Sequence, residues 1–206
     1  YHFGQSQFSH YVVRQSIFHK ALYTAWGSTI LLALVLFNYT EVEAIMSQHD
    51  EFARFEPLHE YNLTFLLFIL SLSSTLGMVL WFCLTKKISL ENLFMEAVVL
   101  GLILCSFYLL PIVIGFTLYF VILHSLKVLR EEFQFLSAKA KVKGVKSFVK
   151  LITPFTLFSI AGIAFLFALI HLDIIQLSYG YTLMIVISSI TLPHVFVMNS
   201  FYLRLF

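Results

Sequence analysis

Three histidines, His2, His124 and His194, stand inside or beside long apolar runs of this sequence. A neutral imidazole presents a nitrogen lone pair that suits iron, copper, zinc or nickel, and it can exchange a proton near neutral pH. Ionisable groups deep in hydrocarbon are costly, which makes them functional candidates by default. The other five histidines ask for less explanation. His49 and His59 fall in an acidic stretch, His171 ends an apolar run, and His10 and His19 lie near Arg14 and Lys20, so solvated or interfacial roles account for them.

The elements that carry these histidines follow from composition. Of 206 residues, 60% are hydrophobic and 12% charged, with a mean hydropathy of +0.90. Soluble domains carry about 25% charged residues, so much of this apolar surface needs a bilayer as its solvent. The fold class expected is all-α, a polytopic transmembrane helical bundle. A net charge of +2 gives no argument for a nucleic-acid partner. Cys83 and Cys105 both sit in apolar runs and read as small core residues, not as a disulfide or zinc framework. The chain opens on Tyr1 without an initiator Met, so residues 1–206 are expected to be one transmembrane domain, the C-terminal part of a longer chain with further spans upstream.

A helix needs about 20 apolar residues to cross the hydrocarbon. Ala21–Asn38, Asn62–Leu84, Thr153–Leu172 and Tyr179–Leu203 each qualify. The uncharged run Ala97–Leu126 is too long for one span, and it is flanked by Lys86 and Lys87 before and by Lys127 and Arg130 after. Basic residues stay on the cytoplasmic side, so the segment must cross twice, reversing at Pro111. That makes six spans. All of the 13 Lys and Arg except Arg54 then share one side, opposite Glu41, Glu43, Asp50, Glu51, Glu56, Glu60 and Asp173. Both ends of the segment are expected to face the cytoplasm. Thr40–Glu60 is expected to hold a short surface helix. Lys141–Ile152 is expected to lie on an anionic leaflet, with Val145, Phe148, Val149 and Ile152 on one face.

This topology gives the three histidines a common depth. His124 lies about 20 Å beyond Pro111, and His194 about 22 Å beyond Tyr179, both in spans that run inward. His2 precedes the first span on the inner side. Imidazoles from separate segments at one depth are what a metal site between helices requires, although isolated hydrogen-bonded histidines satisfy the same pattern. Pro193 loosens the helix ahead of His194, as happens where a helix lines a cavity. On α-helical spacing, His124 shares a face with Thr117, Phe120, Val128 and Glu131. Glu131 could orient His124 or pair with Lys127. No nucleophile elbow, phosphate loop or Cys-x-x-Cys is present.

At the same residues the sequence resembles a known family. Tyr1-His2-Phe3-Gly4-Gln5-Ser6, Tyr119-Phe120 leading to His124-Ser125, and Thr191-Leu192-Pro193-His194 are similar, in order and membrane placement, to the Brp/Blh family of membrane β-carotene 15,15′-dioxygenases. The resemblance runs from Tyr1 to the C-terminus. It implies addition of O2 across the central double bond of β-carotene to give two retinals, at a non-haem iron, Fe(2+), held by His2 and His124 with His194 as a third ligand. It also implies a plasma-membrane location and a functional link to microbial rhodopsins. Tyr119, Phe120 and Thr191 are then candidates to line the path of the polyene. The sequence departs from the family in two ways. Val128 stands where His-Ser-x-x-His would place a second imidazole, and the upstream Pro-His-Gly motif is absent from residues 1–206, where it is expected to precede Tyr1 in a longer chain. Two further readings stand beside the enzyme: a non-catalytic carotenoid- or retinoid-binding membrane protein, and a small-solute transporter.

Overall fold

The computed structural model describes residues 1–11, 16–47, 61–86, 88–138, 143–177, 182 and 185–189. Every regular element among them is helical: α1 His2–Phe8, a 3-10 turn Ser9–Tyr11, α2 Ile17–Phe37, α3 Tyr39–Met46, α4 Tyr61–Leu84, α5 Leu90–Leu109, α6 Ile112–Leu118, a π-helical stretch Tyr119–Ser125, α7 Leu126–Ala138 and α8 Val145–His171. Helix α6, the π stretch and α7 form one rod. This rod together with α2, α4, α5 and α8 makes five helices long and apolar enough to cross a membrane. Of the sixth span, expected over Tyr179–Leu203, only residues 182 and 185–189 are described, and they are helical.

Local chemistry sets the ends of these helices. Ser16 starts α2, its amide donating to His19 Nδ1 at 3.1 Å, so an imidazole plays the part that Glu or Gln plays in a capping box. Ser89 Oγ accepts the Asn92 amide at 3.2 Å and starts α5. The reversal between α5 and α6 falls at the expected proline. Leu110 is extended, as the residue before a proline must be, and Pro111 caps α6. Glu41 Oε2, from α3, accepts the Ile112 amide at 3.1 Å and so satisfies a first-turn donor of α6.

Helix α2 is the centre of the bundle and packs on α1, α4, α5 and α6. Leu22, Tyr23, Trp26, Ile30 and Ala33 on it are buried. Between α2 and α4, Thr29 Oγ1 meets Ser71 Oγ at 2.9 Å and Thr75 Oγ1 at 3.0 Å. Hydroxyls between spans hold helices together where no hydrophobic force distinguishes protein from lipid. The outer faces of α4, α5 and α8 carry exposed Leu, Ile and Phe, the surface a bilayer solvates.

Two sequence expectations need correction. The basic stretch expected to lie along the leaflet is continuous with the fifth span from Val145 onward, because no turn residue separates them and Pro154 sits within an unbroken helix. Cys105 is exposed rather than in the core, while Cys83 is half-buried, and neither forms a disulfide. His19, in the first turn of α2, is buried and stacks on Phe82, with centroids 4.7 Å apart. The surface helix expected in Thr40–Glu60 is α3 for its first part, and the stretch from 48 to 60 lies outside the described residues.

Candidate metal centre

The site begins with the way α1 docks. A β-carbon on Gly4 would run into the Tyr23 carbonyl and Cα, and one on Gly27 would lie 3.1 Å from the Tyr1 nitrogen. Two glycines therefore let the backbones of α1 and α2 approach as only glycine allows. Phe8 closes the other end of the contact, edge-on to Trp26 at 4.9 Å. With α1 held there, His2 points into the bundle and is 5% exposed.

The second component is the π stretch. Hydrogen bonding from i to i+5 is rare in proteins and concentrates at functional sites. Here it brings Tyr119 and His124, five positions apart, onto the same neighbour. Phe3 lies 5.5 Å from the Tyr119 ring and 5.0 Å from the His124 ring. The α-helical face expected for His124 is therefore replaced locally by a π register.

These elements bring two of the three candidate histidines together. The rings of His2 and His124 stand edge to face with centroids 5.0 Å apart, and His124 is 4% exposed. Phe120 tilts beside His124 at 5.4 Å. Tyr119 is buried between Phe3 and Phe107, the latter at 5.9 Å. Nδ1 of His124 meets Ser6 Oγ at 3.1 Å. His194 and Thr191 lie outside the described residues. Among the described residues no group of three or more His, Cys, Asp or Glu side chains gathers around one point.

A polar cluster sits beside the pair. Glu96, 5% exposed on α5, accepts Gln7 Nε2 at 2.6 Å and the Tyr11 hydroxyl at 3.0 Å. Lys127 Nζ donates to the Gln7 carbonyl at 3.1 Å. These bonds tie α1 and the turn after it to α5 and α7, and no sequence motif announced them. Burial, the nearby Glu96 charge and the bond to it together push the Tyr11 hydroxyl well above its ordinary range.

A family model described as beta-carotene 15,15'-dioxygenase matches residues 1–202. The chain belongs to the β-carotene 15,15′-dioxygenase family. No curated protein and no solved structure matches it. Membership supports an oxidoreductase activity, the dioxygenation of β-carotene, in a multi-pass membrane protein.

Proposed function

We propose that this protein cleaves β-carotene at its central double bond with O2, at a non-haem iron held by His2 and His124, with His194 as a third ligand. The observation that carries the proposal is the buried, edge-to-face pair of imidazoles delivered by two separate segments. The spacing of the pair is compatible with one shared ion. With a metal–nitrogen bond of roughly 2.1 Å, two imidazoles on one ion at about 90–110° have centroids about 4.5–5.3 Å apart. The observed separation is 5.0 Å. Imidazole ligands suit Fe(II), and positions left open by a short ligand set are what O2 chemistry needs.

When bound, iron supplies the one-electron chemistry that lets triplet O2 react with a closed-shell polyene. The carbon–carbon double bond breaks, each of its carbons gains one oxygen atom, and two aldehydes form. The chain's own residues bind and orient the substrate. β-Carotene dissolves in the hydrocarbon core, so a site among spans meets it without drawing it through water. Phe3 and Phe120 flank His124 with apolar faces, which excludes water and suits a polyene. Tyr119 backs Phe3, and Thr191 is assigned with Phe120 to the substrate path. The basic side of the bundle faces the cytoplasm of a plasma membrane in this reading, and the retinal formed supplies a microbial rhodopsin.

Val128 motivates a second reading. It is 5% exposed, one turn past His124, where another imidazole was expected. A site short of ligands would hold a carotenoid without turning it over. Expression of the full-length protein in β-carotene-producing cells separates the two. Retinal formation with iron in the purified protein supports cleavage, whereas bound carotenoid with neither iron nor O2 uptake supports storage.

A further inference from the structure

Ser6 lies on α1, one turn after His2, and is 3% exposed. Its Oγ has two neighbours, the Phe3 carbonyl at 3.0 Å and His124 Nδ1 at 3.1 Å. A serine hydroxyl has a single proton to give. Given to the Phe3 carbonyl, which can only accept, that proton leaves the oxygen to act as acceptor towards His124. Nδ1 must then carry the imidazole hydrogen. A neutral imidazole has one N–H, so Nε2 is the nitrogen that holds the lone pair.

We infer that Ser6 is a positioning residue: through the relay His124 Nδ1–H to Ser6 Oγ, and Ser6 O–H to the Phe3 carbonyl, it sets the tautomer and ring orientation that present His124 Nε2 as a metal-binding nitrogen. The inference builds on the reading of His2 and His124 as iron ligands. Histidines that bind metals are commonly held in this way, with the second ring nitrogen donating to an oxygen, and loss of that partner typically lowers metal affinity about 10–100-fold. The relay also joins the two halves of the site. Phe3, Ser6 and His2 all belong to α1, whereas His124 belongs to the π stretch. One short helix thereby supplies a ligand, an aromatic wall and the orienting oxygen for the opposite ligand.

The test uses full-length protein in detergent with histidine labelled in 15N. In the metal-free wild type, nitrogen–proton correlation spectra should show His124 as the Nδ1–H tautomer. In Ser6→Ala they should show Nε2–H or a mixture, and anaerobic Fe(II) titration against a chelator should show affinity reduced about 10–100-fold. Ser6→Thr, which keeps the hydroxyl, should restore both. Thermal unfolding of each variant separates this from a packing defect. An Nε2–H tautomer in the wild type overturns the inference, as does a Ser6→Ala protein with unchanged tautomer and affinity. A wild type with the Nδ1–H tautomer but no iron binding would instead overturn the ligand reading and leave the hydrogen-bond relay standing.

Discussion

The imidazoles of His2 and His124, one from the first turn of α1 and one from a π-helical stretch inside a span, meet edge to face with centroids 5.0 Å apart. The two lie far apart in sequence, and burying an imidazole in hydrocarbon is costly unless its nitrogens find partners.

If the two rings serve one ion, their losses are not additive. His2→Ala and His124→Ala should each lower retinal yield on the order of 100-fold or more, and the double variant should be no worse than the poorer single one. Retinal per cell, normalised to membrane-inserted protein, is the measurement. A single variant that keeps most of its activity removes that residue from the site.

Gly4 should tolerate no side chain. Gly4→Ala forces the α1 and α2 backbones apart at Tyr23, and overpacking of this kind costs about 1–3 kcal/mol. Gly77 and Gly162, whose β-carbons would meet nothing within 4 Å, serve as controls, and alanine there should be neutral or stabilising by up to about 1 kcal/mol. Thermal unfolding in detergent compares the three.

Glu96 should act through geometry. Glu96→Leu leaves the Gln7 amide and the Tyr11 hydroxyl without their shared acceptor, at about 1–3 kcal/mol for each donor stranded by burial. Glu96→Gln keeps an acceptor oxygen and should lose less. Because the cluster holds α1, retinal yield should fall in the same order as the unfolding temperature, and a Leu variant with wild-type stability would refute the role.

Tyr11 predicts a pH dependence with a definite sign. Its folded-state pKa is raised above the ordinary value of 10.0, first by burial and then by Glu96. Stability from this group is fully present below about pH 10 and declines as pH climbs towards the raised value. Tyr11→Phe should therefore flatten the alkaline limb of a stability–pH curve and leave the curve near neutrality displaced only by the lost hydrogen bond. Unfolding followed from pH 8 to 11 reads this directly.

The sequence by itself determined the all-helical membrane fold, the reversal at Pro111 and which histidines were candidates for a site. Each is a local or summed property: an apolar run long enough to cross, a missing backbone N–H, a costly polar group in hydrocarbon. Only the tertiary structure decided which histidines meet. That depends on how closely α1 approaches α2, which Gly4 permits at Tyr23, and on the π register that turns His124 towards Phe3 and Ser6. A hydrophobic pattern reports depth and face for an ideal helix. It carries no record of a register change within a span, nor of the long-range hydrogen bonds through which Glu96 and Ser6 hold α1 in place, because those are set by the packing of helices distant in sequence.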